Sequence, residues 1–381
     1  RFDLATTLCR RKGGFTAESG FLYAVRQDPV LKNVKLIAEP WDVGDGGYQL
    51  GAFPPGWSEW NDRFRDVVRR FWKGDQYQTA ELASRISGSS DIFNYHNRDI
   101  WSSLNFVTAH DGFCLNDLVS YNVKHNAANG EDNRDGTNAN WSWNSGEEGE
   151  TDNPSVLANR RCRARAIMAT LLLSVGTPML FAGDEFLHTQ MGNNNPYCQD
   201  NKITWLNWQD REKNAELLNF WKQMIAFRKA HPILHPEEEL RILDTLSCGY
   251  PDLSYHGQNA WRPQTESYNR HVGMMYCGKY AKTKAGADDS FLYVAMNMHW
   301  EPQKLAFPKL PKGMEWKLVL ATEEAGNILT VQEREEQMAD QTRTVAPRSI
   351  AVYEGVMGIS QDKGKSTGKS RKKKSEASEE R

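Results

Sequence analysis

The sequence predicts a mixed α/β protein: a parallel unit of (β/α)8-barrel type followed by a small all-β sandwich. Three observations carry this. Short apolar runs end in acids, amphipathic helical patterns lie between those runs, and the texture changes after about Pro236. Residues 34–38 run into Glu39, residues 104–109 into His110-Asp111, and residues 179–182 into Gly183-Asp184-Glu185. Buried strands alternating with helices give a parallel sheet. Acids repeated at the C-terminal ends of strands favour a barrel over a doubly wound sheet, because a barrel gathers its catalytic groups on that face. A dinucleotide-binding sheet would carry a Gly-x-Gly-x-x-Gly turn, and none is present; nor is a P-loop.

Taken in order, the opening Arg1-Phe2-Asp3-Leu4-Ala5 reads as the end of a buried strand. No initiator Met or signal-type segment precedes it, so an N-terminal part is expected to be missing. Asn61 can cap a helix whose Phe64, Val67, Val68, Phe71 and Trp72 recur at helical spacing. Residues 166–183 approach the length of a membrane span, but Gly176-Thr177-Pro178 interrupts them and Arg160, Arg161, Arg163 and Arg165 crowd their start. A buried helix to about Ser174, then a strand over 179–182, is expected. A later helix places Leu217, Leu218, Trp221, Met224 and Ile225 on one face and stops at His231-Pro232. Residues 272–277, 290–297, 316–321 and 349–353 are short, β-branched and aromatic, as sandwich strands are. The expected division is a barrel portion over 1–236, a β domain over 237–357 and a disordered basic tail over 358–381. Residues 361–381 carry eight Lys/Arg against four Asp/Glu.

The chain has 381 residues and a net charge of −2, so no nucleic-acid or membrane partner is expected. Six scattered Cys with no metal-type spacing read as reduced thiols of a cytoplasmic protein. His110, His188 and His231 lack zinc-ligand spacing. The run from Glu131 fails as an EF-hand, because Ser142 stands where a bidentate Glu is needed. No metal is expected, and Ser/His/Asp chemistry lacks its Gly-x-Ser-x-Gly elbow.

What remains is a set of acids. Asp3, Glu39 and Asp111 each follow an apolar run, and three desolvated carboxyls at one barrel mouth must pair with cations or shift in pKa. Arg1, two residues before Asp3, faces the same side of the strand and would keep Asp3 ionised. Glu39, beside Pro40 and Trp41, sits where its protonated form is favoured. One carboxyl charged and another neutral is the division glycoside hydrolysis requires. The competing reading is that these acids cap the helices that follow. Trp41, Tyr48, Trp57, Trp60, Trp141, Trp143 and Tyr197 offer faces for sugar C–H groups. Asn126, Asn129, Asn133, Asn138, Asn140 and Asn193, Asn194 and Asn195 offer partners for hydroxyls.

The motifs Arg1-Phe2-Asp3-Leu4-Ala5, Leu36-Ile37-Ala38-Glu39-Pro40-Trp41-Asp42 and Val107-Thr108-Ala109-His110-Asp111-Gly112 resemble the α-amylase superfamily. Glu-Pro-Trp-Asp, Ser58-Glu59-Trp60-Asn61 and Gly192-Asn193-Asn194-Asn195-Pro196-Tyr197 are similar to its isoamylase and bacterial glycogen-debranching branch. The resemblance implies Asp3 as nucleophile, Glu39 as general acid/base and Asp111 as stabiliser of the distorted sugar. Arg1 and His110 would hold hydroxyls, and Trp41, Tyr48 and Trp60 would complete the sugar site. The implied reaction is retaining hydrolysis of α-1,6 branches in glycogen or limit dextrin, with no redox cofactor. The resemblance also implies strands four to eight of a barrel. No residues here match the family's third-strand His and Asn, so this polypeptide alone is expected to be inactive. A pullulanase and a non-catalytic glucan-binding homologue are the alternatives.

Overall fold

The structure is a computed structural model that describes residues 1–95, 98–323 and 342–358. The expected basic tail lies outside the described residues. Thirteen strands and eight helices are described. A hairpin of β1 (Arg10–Arg11) and β2 (Gly14–Phe15) precedes helix α1 (Gly20–Gln27), and β3 (Leu36–Ala38) leads to Glu39. Next come β4 (Trp57–Asn61), α2 (Asp62–Lys73), α3 (Thr79–Ile86) and α4 (Ser90–Phe93). β5 (Ser103–Asn105), α5 (Leu115–Ser120), α6 (Pro154–Leu173) and β6 (Thr177–Pro178) follow, then α7 (Asp210–Lys213) and α8 (Ala215–Ala230).

Four of these strands form one parallel sheet in the order β3-β4-β5-β6, and Phe2 bridges Ala38 in parallel at its edge. The β4–β5 and β5–β6 connections run through helices, whereas β3 reaches β4 by a long loop over residues 39–56; each is the crossover that parallel pairing demands. β4 escapes a reading from periodicity because its buried positions include Glu59 and Asn61. Glu59 is matched by a buried Arg98 and by the Gly51 and Phe53 amides. Asn61 donates to Ser89 and Ser103 and caps α2 by accepting from Phe64 N at 2.9 Å. β6 lies two residues earlier than the apolar run suggests. It is an edge strand of the described sheet, where Pro178 is tolerated because a missing N–H breaks no second ladder. Met179 N then reaches Asn105 O at 2.7 Å, and residues 179–182 continue without strand pairing. β5 is likewise shorter than its apolar run and ends at Asn105.

α2 buries the five residues its spacing marks, and stops at Gly74, whose φ of +99° lets its N–H meet the Arg70 and Phe71 carbonyls. α6 is the hub: it packs against α2, α3, α5, α8 and β13 (Ser349–Met357). Every residue from Arg163 to Leu173 is buried, including two arginines. Each arginine has its N–H donors met by local acceptors rather than left orphaned. Arg163 donates to Trp72 O, Trp143 O and Ser145 Oγ, and Arg165 to Thr322 O and Glu216. No helix among the described residues is long and apolar enough to cross a membrane.

The remaining strands are antiparallel. They are β7 (Leu253–His256), β8 (His271–Tyr276), β9 (Leu292–Asn297), β10 (Gln303–Ala306), β11 (Met314–Ala321), β12 (Thr342–Val345) and β13. Five form a sheet in the order β11-β13-β9-β8-β7, and β10 pairs with β12 beside it. Side chains alternate between its faces. Val272, Met274, Tyr276, Leu292, Val294 and Met296 join the same core as α2, α6 and α8. Met275, Cys277, Tyr293, Ala295 and Tyr353 turn the other way, onto Leu305, Phe307 and Val345. Both faces are covered, which is why these strands read as unbroken apolar runs. Gly273 has no room for a Cβ, which would lie 1.9 Å from the Tyr293 hydroxyl.

Candidate functional site

Parallel pairing brings the first two acids together. Phe2 N donates to Ile37 O and Glu39 N to Phe2 O, so Asp3 and Glu39 leave neighbouring strands at the same end. The chain then turns at Leu4, a left-handed residue with φ 42° and ψ 47°. That strained turn aims Leu4 N at Glu39 Oε2, 2.8 Å away. Arg1 Nη2 reaches the same oxygen at 3.0 Å, while its Nη1 lies 2.8 Å from Asp3 Oδ1. One guanidinium therefore spans two carboxyls.

His110 links the third acid. Its Nε2 lies 3.5 Å from Asp3 Oδ1 and 3.6 Å from Asp111 Oδ2. Asp3, Glu39 and Asp111, the candidate catalytic set, thus meet through Arg1 and His110 although 108 positions separate the first from the last. Their environments differ. Glu39 is 2% exposed, whereas the Asp3 and Asp111 side chains are 60% and 67% exposed. Burial pushes the Glu39 carboxyl above its ordinary range, against the Leu4 amide and the Arg1 cation, and a hydrogen bond with Asp3 adds to the rise. A buried carboxyl with raised proton affinity beside an exposed acid can supply a proton to a leaving group while its neighbour meets the substrate.

The aromatic residues take several positions. Trp60 is buried, with the Arg1 guanidinium 4.0 Å above its ring and His110 at its edge 5.7 Å away. It is the platform under the two linking side chains, Arg1 and His110, rather than an open sugar-facing surface. Trp41 is half-buried against Trp60, Leu104, Phe106 and Ala109. Tyr48 donates its hydroxyl to Asp62 at the start of α2, 2.8 Å away, and burial and that carboxylate raise its pKa. Trp57 lies in the core with Phe2, Phe21 and Phe53. Trp143 is flanked by Arg163 and Arg348, each 4.7 Å from its ring, and Arg70 lies 5.0 Å from the Trp141 ring. Tyr197 is the aromatic of this set that shares a cleft with His110 and Asp111. That cleft, of about 380 Å³, is lined by His110, Asp111, Phe181, His188, Gln190, Asn195, Tyr197 and Leu206 among others.

The asparagines correct a sequence expectation. Asn126 and Asn194 exchange hydrogen bonds, Asn129 and Asn195 both donate to Asp135 Oδ2, and Asn193 donates to Asn129. Lys124 Nζ gathers the carbonyls of Arg134, Asp135 and Gly136. The amides of Asn126, Asn129, Asn193 and Asn194 stitch two loops together and spend their capacity inside the protein, while Asn195 also lines the cleft beside Asp111. Among the described residues, no group of three or more His, Cys, Asp or Glu side chains could hold a metal ion.

Three contributors escape sequence reasoning. Leu4 acts through its backbone and has no side-chain signal. Arg69 is 3% exposed and holds Val107 O, Phe113 O and Asn140 O; an Arg at a buried helical position is the signal it leaves. Asp184, at the end of an expected apolar strand, is 3% exposed and pushed up to about 7 by burial.

A parallel sheet presenting acids with an antiparallel sheet packed behind it is a fold shared with solved pullulanases. Pullulanase type I from Bacillus subtilis, solved in complex with maltose, matches with a TM-score of 0.58 at 20% identity, over 88% of this chain and 41% of that one. The pullulanase of Bacillus acidopullulyticus matches with a TM-score of 0.56 at 18% identity, over 85% and 34%. Sequence relatives are nearer. The glycogen operon protein GlgX homolog of Mycobacterium tuberculosis is 42% identical over 370 residues, covering 92% of this chain and 50% of that protein. The glycogen debranching enzyme of Enterobacter sp. (strain 638) is 52% identical over 234 residues, covering 61% and 35%. No family model matches the chain. The chain is thus similar to proteins named GlgX homolog and glycogen debranching enzyme, and it spans about half the length of the first of these relatives.

Proposed function

We propose that this chain carries the acidic centre of a debranching glycoside hydrolase that cleaves α-1,6 linkages in glycogen and limit dextrin with retention of configuration. The observation that carries the reading is the linked set of acids, in which Arg1 joins Asp3 to Glu39 and His110 joins Asp3 to Asp111. Asp3 attacks the anomeric carbon, Glu39 protonates the leaving oxygen and then activates water, and Asp111 holds the distorted sugar. Arg1 and His110 tune the carboxylates and hold hydroxyls. Trp60 and Trp41 support them from beneath. Tyr48 is assigned to the flank of the glucan path.

The parallel sheet is read as an arc of a (β/α)8 barrel, about strands four to eight, within a catalytic portion over 1–236. The antiparallel strands belong to a C-terminal β domain over 237–357. Names of the relatives support the substrate class: glycogen debranching for the sequence relatives, and maltose bound by a structural one.

The test is release of linear α-glucan chains from phosphorylase-limit dextrin, measured as new reducing ends. Asp3→Asn keeps the size of the side chain and removes the nucleophile. Measured in a protein extended to the length of its relatives, turnover should fall roughly a thousandfold or more, with limit dextrin still bound. Near-normal cleavage by this variant excludes Asp3 as nucleophile. Glucan binding without cleavage by the unmodified chain and by a longer relative would favour a regulatory role.

A further inference from the structure

We propose that Asp184 and Asp117 are positioning residues, a reciprocal pair of buried carboxylates that braces the His110-Asp111 turn against the wall of the adjoining cleft. The kinetic consequence rests on the hydrolase reading above; the structural consequence does not.

Asp184 follows the edge strand β6 and reaches back to the segment after β5. One oxygen accepts Leu115 N at 2.8 Å and the other accepts the Thr108 hydroxyl. Those two partners flank residues 109–114, so a single carboxylate pins both ends of the turn that carries His110 and Asp111. Arg69 grips the same turn from its other side, with Nε on Val107 O at 2.7 Å and Nη2 on Phe113 O at 3.3 Å.

Asp117, one turn into α5, makes the return contact. It is fully buried; Oδ1 accepts the Thr189 hydroxyl at 2.6 Å, and Oδ2 accepts Gln190 N and Gly192 N, each at 3.0 Å. Between the two carboxylates, Gly112 N donates to Asn194 O at 2.9 Å and Cys114 Sγ to His188 O at 3.1 Å. The loop held this way contributes His188, Gln190 and Asn195 to the cleft that His110 and Asp111 enter. Neither Asp184 nor Asp117 lines that cleft.

A buried carboxylate served by neutral donors is an expensive way to hold a loop, and burial raises Asp184 to about 7 and Asp117 to about 6. What it supplies is geometry: each oxygen takes donors in a fixed plane, so two backbone segments are set relative to each other. A misplacement of about 1 Å at a reacting group can cost roughly a hundredfold in rate.

The experiment pairs amide hydrogen exchange with limit-dextrin kinetics in Asp184→Ala, Asp184→Asn, Asp117→Ala and Thr108→Val. Asp184→Ala should speed exchange at residues 109–114 and lower kcat about tenfold or more, with KM within about twofold. Asp184→Asn, which can accept from Leu115 N and donate to Thr108, should restore both readouts. Asp117→Ala should speed exchange at residues 189–192 and raise KM about threefold or more, with the smaller effect on kcat. Thr108→Val removes one arm alone and should give a partial form of the Asp184→Ala pattern, even if Asp184→Ala does not fold. Unchanged exchange at 109–114, a uniform rise across the fold, or equal losses in Asp184→Ala and Asp184→Asn overturns the brace. If a protein extended to the length of its relatives also leaves limit dextrin intact, the hydrolase reading fails, and the exchange pattern decides the brace by itself.

Discussion

At the scale of single residues, the site is a problem in keeping like charges apart. Arg1 lies between Asp3 and Glu39 and lowers the proton affinity of the buried glutamate, while desolvation raises it and wins. Arg1→Gln removes the cation and leaves desolvation unopposed by it, so the Glu39 carboxyl should rise further. An acid that must be protonated then stays competent to higher pH. The alkaline limb of kcat/KM should shift upward, with a peak rate roughly tenfold lower as Asp3 loses its partner. A limb that stays in place or moves to lower pH contradicts the assignment of Glu39 as the acid. Much of this was legible in the sequence, because Asp3, Glu39 and Asp111 each end an apolar run. The aromatic contribution was less so. A Trp on a strand can face a sugar or an arginine, and only the packing of Arg1 over Trp60 distinguishes the two.

At the scale of elements, buried arginines do what caps and apolar contacts alone cannot. The C-terminal end of α6 points its last carbonyls into protein, where water cannot satisfy them. Arg228 of α8 donates to Leu172 O, Ser174 O and Gly176 O at 2.7–2.8 Å. Arg228→Met keeps much of the volume and strands three carbonyls; it should cost about 2–4 kcal/mol in chemical denaturation. A loss below about 0.5 kcal/mol would mean that water reaches this joint. Helices with regular apolar spacing, α2 and α8, were evident before the fold was known. β4 was not, because Glu59 and Asn61 are buried polar residues whose partners, Arg98 and Ser103, come 39 and 42 positions later. A local pattern cannot report a partner that distant.

At the scale of the whole molecule, Trp143 sits between Arg163 of α6 and Arg348 of the turn before β13. Trp143→Ala leaves those guanidinium groups without their shared face and opens a void, at about 3 kcal/mol. Calorimetry should show a lower midpoint with one transition, because the apolar contact between the five-stranded sheet and the helices persists. Two resolved transitions would show that the Trp143 sandwich alone couples them. The change of texture near Pro236 announced antiparallel strands, yet composition could not reveal that one face of those strands completes the helical core.

That shared face has a practical consequence. Removing the last five-stranded sheet would not release a tidy remainder: Phe71, Trp72, Met168, Leu172 and Trp221 belong to the same cluster as Met274, Val294 and Ile350. Anyone exchanging carboxy-terminal regions between homologues should transplant the helical surface along with the strands, or expect insoluble hybrids.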